Sequence, residues 1–266
     1  MAIQSPTPKM LAELDNGIGW ITFNNPERHN AMSMDMWQGL AEILKQLEAD
    51  TSLRVVILRG AGEKAFVSGA DISEFEKKRN GQEQRDAYET AFDEAQNRLA
   101  NFAKPVIAMI QGYCVGGGLA LALNTDIRIA TEDSMFAIPA AKLGLGYGYE
   151  SVKTLTSIVG PSFAKDILYS ARFLKTEEAL RIGLVNQVVS RDQQMEKVLD
   201  YAVTVAGNAP LTIKSIKAAV SKIVRDPGQA SPEDIAALVN DCFLSDDYKE
   251  GRQAFMEKRK PVFKGP

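Results

Sequence analysis

The chain of 266 residues contains one histidine, His29, and two cysteines, Cys114 and Cys242. Two cysteines cannot build a disulfide framework, and Cys114, set in an apolar context, reads as a small buried residue. One histidine excludes a histidine-rich metal site. A Ser-His-Asp triad would have to use His29, and no nucleophile elbow lies near it, so His29 reads as structural. There is no metal-binding or redox-cofactor motif. No apolar run is long enough to span a membrane, and the first ten residues, MAIQSPTPKM, lack the basic-then-apolar order of a secretory leader, which gives the expectation of a cytoplasmic protein. The formal net charge of −3 lacks the basic excess that general nucleic-acid binding requires. Neither an internal repeat nor a low-complexity tract is visible.

What the sequence does contain is ample apolar material, 45% of residues, enough for one large domain or two modest ones. MLAEL and GIGWITF (17–23) flank Asp15-Asn16 and predict two strands joined by a tight turn. Residues 34–50 carry apolar side chains at helical spacing. LRVVILRG (53–60) is a short β-branched run that predicts a buried strand. RDAYETAFDEAQNRLANFA predicts a helix closed by Pro105, followed by one buried strand, PVIAMIQGY. DIRIA and SMFAI read as further strands. This alternation favours an α/β fold with parallel pairing. After about residue 150 the pattern is mostly helical, with LVNQVV as one strand, and residues 225–234, RDPGQASPED, read as a loop.

CVGGGLALALNTD (114–126) places three glycines before an apolar run that predicts a buried helix. The first N–H groups of a helix have no internal partner, and glycine lets a ligand approach them closely. Such a place suits a phosphate or an oxyanion developing on a carbonyl, or else the glycines simply permit tight helix–strand packing. The segment is neither a Walker loop nor a full dinucleotide fingerprint. A second stretch, AFVSGADISEF (65–75), also runs from a strand into a small-residue turn. One N–H from each could converge on a single oxygen.

Four ordered stretches carry a resemblance: AFVSGADISEF, KPVIAMIQGYCVGGGLALALNTDIRIA, ARFLKTEEALRIGLVNQVV and EGRQAFMEKRKPVFKG. Together they resemble the crotonase superfamily, the enoyl-CoA hydratase/isomerase family, from about residue 10 to the C-terminus. The resemblance implies a core of repeated ββα units over residues 1–200 that binds acyl-CoA, and a helical part over 201–266 used in trimers or dimers of trimers. It also implies stabilisation of a thioester enolate by two backbone amides, those of Ala70 and Gly117, with CoA as part of the substrate and no separate cofactor. Arg28 and Ala31 in PERHNAMS would lie against CoA, with Arg28 facing a phosphate. Ser68, Asp71 and Ile72 would line the adenine pocket. Family members often have a lysine after GADI, whereas here Ser73 follows. Phe255 and Lys258 would reach CoA, by way of a subunit interface.

The sequence also departs from that pattern. Hydratases of the family place one glutamate three residues after the middle glycine and a second after a proline, and here those positions are Ala120 and Ala140. Activating water needs a positioned group of suitable pKa, so hydration by the usual route is in doubt. KLGLGYGYESV (142–152), read as a loop, offers Tyr147 and Glu150 instead. Tyr147 resembles a tyrosine of the methylmalonyl-CoA decarboxylase branch, although that branch has a histidine where this chain has Ala70. Ala120, Ile138, Ala140 and Leu145 would form an apolar pocket that favours loss of CO₂ from a malonyl-type thioester. Hydration or isomerisation through Tyr147 or Glu150, and acyl-CoA binding without catalysis, are the alternatives.

Overall fold

The computed structural model describes residues 3–71, 82–225 and 231–265. The chain opens with strands β1 (Met10–Asp15) and β2 (Ile18–Phe23), paired antiparallel. The turn between them is Asn16-Gly17 rather than Asp15-Asn16. Both central residues have positive φ, 48° and 79°, as a two-residue hairpin of this twist requires. Helix α1 (Met34–Ala49) follows and repeats its apolar residues at 36, 37, 40, 43, 44 and 47, all buried.

From there the chain builds the same unit three times. β3 (Val55–Gly60) is followed by β4 (Ala65–Val67), then α2 (Gln82–Ala100). β5 (Val106–Ile110) is followed by β6 (Tyr113–Val115), then α3 (Gly117–Leu123). β7 (Ile127–Thr131) is followed by β8 (Met135–Ala137), then α4 (Tyr149–Ser170). In each unit the first strand joins a large sheet and the second a small one. β3, β5 and β7 pair in parallel, and so do β4, β6 and β8. The mixed α/β architecture is thus a stack of ββα units. The repeat is invisible as sequence because it is a repeat of backbone path.

The large sheet has the order β1-β2-β3-β5-β7-β10, closed by β10 (Gln187–Val189), and the small sheet β4-β6-β8-β9, closed by β9 (Leu174–Lys175). PVIAMIQGY, expected as one strand, is two. The break is at Gly112, whose φ is 61° and where a Cβ would stand 2.0 Å from the Lys64 carbonyl oxygen. That crossing passes the chain from one sheet to the other, and only glycine fits there.

One face of the large sheet meets the main core with α1 and α2. The other is covered by α6 (Gln194–Ala206), which buries Val198 and Ala202 against Ile57, Ile107 and Ile129. The division drawn at residue 200 falls inside α6. α5 (Thr176–Arg181) precedes it, and α7 (Pro210–Arg225), α8 (Glu233–Leu244) and α9 (Asp246–Glu257) form the C-terminal part. Among the described residues no helix is long and apolar enough to cross a membrane.

Candidate active site

The ends of β4 and β6, neighbours in the small sheet, place Ala70 and Gly117 side by side. Beyond β4 the chain bends at Gly69, whose φ is 117°, and Ala70 makes a parallel bridge to Met32. The Met32 amide donates to the Gly69 carbonyl at 2.8 Å, and the Asp71 amide donates to the Met32 carbonyl at 2.9 Å. The Gly69 carbonyl and the Ala70 N–H belong to one trans peptide and point to opposite sides. With Gly69 and Asp71 engaged on Met32, the Ala70 N–H faces the other way, toward α3.

The three glycines there have three different causes. Gly116 has φ 53° and ψ −117°, a conformation a side chain would not tolerate, and its amide donates to the Ala137 carbonyl at 2.8 Å. At Gly118 a Cβ would stand 2.1 Å from the Val67 carbonyl oxygen, so this glycine lets α3 lie against β4. Gly117 is the open one. A Cβ there would meet only ordinary contacts, 3.4 Å from Trp37 Cζ2 and 4.0 Å from the Ala70 nitrogen. Gly117 is the first residue of α3, so its amide has no partner within the helix. Because α3 has only seven residues, its macrodipole is small.

The surroundings are apolar. Ala120 on α3 and Ile138 and Ala140 after β8 are buried and carry no ionisable group. Ala140 lies in a single-turn helix, Pro139–Leu143, and Leu145 beyond it is half exposed. Tyr147 packs against the main core with a buried hydroxyl that finds no well-formed hydrogen bond among the described residues. Burial pushes the phenol up to about 12, and the nearby Ser151 hydroxyl offsets this only in part. Glu150 is not on a loop. It stands in the first turn of α4, exposed to solvent. Its position reflects the early start of that helix, hidden in sequence by the glycines around Tyr147.

Arg28, Ala31, Ser68 and Asp71 are gathered at one edge of this site. Arg28 ends a single-turn helix, Pro26–Arg28, and is exposed, while Ala31 is buried. The Ser68 amide donates to the His29 carbonyl at 3.1 Å, and the Ser68 hydroxyl donates to the Arg28 carbonyl at 3.3 Å. His29 itself is exposed, with its ring 6.2 Å from that of Tyr113. Sequence reasoning missed Asn30, which holds this edge together. It is buried with φ 57°, its amide nitrogen donates to the carbonyls of Ala61 and Ala65, and its side-chain oxygen accepts from the Asn25 amide. The only available signal was an asparagine, which tolerates the left-handed region, inside a turn-rich stretch. Ile72 and Ser73 lie outside the described residues.

Phe255 and Lys258 belong to a different place. Phe255 on α9 is 83% exposed and lines a cavity of about 750 Å³ between α7, α8 and α9, with Ile216, Phe243 and Tyr248. None of Ala70, Gly117, Tyr147 or Glu150 lines that cavity. Among the described residues no three histidine, cysteine or carboxylate side chains come together as a set of metal ligands.

The chain is similar to known proteins over nearly its whole length. The profile of the Enoyl-CoA hydratase/isomerase family matches residues 13–266. A short-chain-enoyl-CoA hydratase of Clostridium acetobutylicum is 35% identical over 251 residues, which are 94% of this chain and 95% of that protein. The solved structure of an enoyl-CoA hydratase/carnithine racemase from Magnetospirillum magneticum superposes with a TM-score of 0.90 at 38% identity, covering 98% of this chain and 97% of the other. That of an enoyl-CoA hydratase/isomerase family protein from Hyphomonas neptunium gives 0.92 at 32% identity, covering 98% and 99%. With its ββα stack and its paired segments at Ala70 and Gly117, the chain belongs to the enoyl-CoA hydratase/isomerase family of the crotonase superfamily.

Proposed function

We propose that the protein acts on acyl-CoA thioesters, gripping the thioester oxygen between the amides of Ala70 and Gly117 while negative charge develops on it. The observation that carries this reading is the approach of Gly117 to the Ala70 nitrogen, with one amide at a helix start and the other turned away from its β-bridge. Two fixed donors aimed at one oxygen lower the barrier to an enolate, and loss of one such donor typically costs about 3 kcal/mol. Arg28, Ala31, Ser68, Asp71 and Ile72 would hold the CoA portion. Phe255 and Lys258 would serve the same ligand from a second copy of the chain in a trimer or dimer of trimers, a role their exposure permits.

The reaction that suits these walls is decarboxylation of a malonyl-type thioester. The C–C bond to the carboxylate breaks, CO₂ leaves, and the electron pair enters the enolate, whose oxygen the two amides hold. No general base is needed, and the apolar surface of Ala120, Ile138, Ala140 and Leu145 favours departure of a neutral molecule over a carboxylate. Tyr147, with its phenol pushed up to about 12, stays protonated across the neutral range. It is a hydrogen-bond donor or proton source for the enolate carbon, not a base. A second reading, hydration or isomerisation with Tyr147 and Glu150 as the polar groups, is favoured by one observation: the relative from Clostridium acetobutylicum is named a hydratase.

Incubation with matched malonyl-type and enoyl-CoA thioesters, followed by mass spectrometry, separates these readings. The expected result is loss of CO₂ from the malonyl type, slowed roughly 100- to 1000-fold by Gly117→Pro and less by Tyr147→Phe. Gain of water by the enoyl thioester, or a shift of its double bond seen as a new chromatographic peak of unchanged mass, would install the second reading. Tight binding with neither a mass change nor a double-bond shift would make the protein an acyl-CoA binder.

A further inference from the structure

We infer that Trp37 is a positioning residue that sets the Gly117 amide relative to that of Ala70, with Tyr88 as its anchor. This rests on the two-amide reading above and extends it to groups that touch no substrate.

The Trp37 side chain is fully buried. Its ring edge is in ordinary contact range of Gly117, as the 3.4 and 3.8 Å from Cζ2 and Cη2 to a Cβ built there show, and that same point is 4.0 Å from the Ala70 nitrogen. The indole is held on two further sides. Nε1 donates to the Tyr88 hydroxyl at 2.9 Å, and the ring of Phe92 packs edge-on with centroids 4.9 Å apart at 76°. A buried indole N–H requires a partner, and here that partner comes from α2 and fixes the plane of the ring.

Chain connectivity makes this more than core packing. Met32, whose backbone holds Gly69 and Asp71 and so turns the Ala70 amide outward, is five residues before Trp37. The Trp37 amide donates to the Ser33 carbonyl at 3.1 Å in the first turn of α1. One short rigid segment, residues 32–37, therefore touches both halves of the oxygen site, with backbone on the Ala70 side and an indole on the Gly117 side. An aliphatic residue would fill the volume, whereas a hydrogen-bonded indole also fixes where the start of α3 comes to rest.

The test compares Trp37→Phe and Tyr88→Phe with the wild type in calorimetric binding of two ligands: an acyl-CoA thioester, and its thioether analogue in which a methylene replaces the carbonyl. The wild type is expected to prefer the thioester. Both variants are expected to lose roughly threefold to tenfold of that preference, the scale of one net hydrogen bond, with thioether affinity unchanged. Equal weakening of both ligands, or an unchanged preference, would reduce Trp37 to packing and overturn the inference. A wild type with no preference would instead remove the two-amide reading itself. If Trp37→Phe does not fold, Tyr88→Phe, which removes one hydroxyl, decides alone.

Discussion

Two helices of equal length behave in opposite ways. α1 and α7 each have 16 residues and an apolar stripe, yet α1 buries eight of its residues and α7 only Ser215. Ile216, Val220, Ile223 and Val224 of α7 face outward, as do Phe243 and Leu244 of α8 and Phe255 and Met256 of α9. α7 is tied to the body by polar contacts instead. Lys217 Nζ donates to the Lys104 carbonyl and to Asp126 Oδ2, both at 2.8 Å, and Arg225 donates to the Ala100 carbonyl and the Asn101 side chain. The body finishes its own core and brings Gly117 up to Ala70. The C-terminal helices keep an apolar surface that the described residues do not cover. An amphipathic pattern thus says that a face will be buried, not by what.

Changes at the tight glycines should break the body most severely. Gly118→Ala drives a methyl group into the Val67 carbonyl, where backbone must move, and should lower stability by about 3 kcal/mol or prevent folding. Denaturant unfolding reads this directly, and a normal midpoint would contradict the close packing of α3 on β4 at Gly118. The tie between the regions comes next. Lys217→Met leaves Asp126 short of its partner and the Lys104 carbonyl unpaired, at a cost of about 1–3 kcal/mol, with faster amide exchange in α7 than in α1. Burial holds the Lys217 ammonium below the usual lysine range despite Asp126, so the charged pair is held there by geometry rather than by favourable solvation.

Tyr147 sharpens the picture of the site side. Its phenolate should appear near pH 12 by ultraviolet titration. Below the ordinary tyrosine range both folded and unfolded phenols are neutral, so this group adds no pH dependence there. Above it the unfolded chain ionises first, and stability falls as pH rises toward the folded value. Tyr147→Phe should remove that share of the fall. The smallest effect belongs to the outer face of α7: Ile223→Ser should change the stability of the isolated chain by no more than about 0.5 kcal/mol, with any larger effect confined to association measured by sedimentation.

Much of this was legible in the residues. Helical spacing gave α1 and α6, β-branched runs gave β3, and the glycine triplet marked the start of α3. What escaped was set by tertiary geometry. Gly112 splits an unbroken apolar run into strands of two sheets because the Lys64 carbonyl occupies the space a side chain would need. α4 starts at Tyr149, among glycines that signal a loop, and it breaks at Gly160, with φ 76°, before Pro161. At the site, the positions of Ala70 and Gly117 followed from motif resemblance. Asn30 carried only the general turn signal of an asparagine, and Trp37 and Tyr88 carried none, because aromatics on an apolar stripe look the same whether or not they hold an amide in place.

The central claim concerns two amides and one oxygen, and the isotope-edited infrared stretch of a bound thioester carbonyl reports on that oxygen. Proline is tolerated at the first position of a helix, so Gly117→Pro can delete one donor while the fold stands. The stretch should fall to lower frequency on binding to the wild type and recover most of that shift in the folded Gly117→Pro variant, in step with a roughly 100- to 1000-fold loss of turnover. A carbonyl stretch identical in the two proteins would contradict the account.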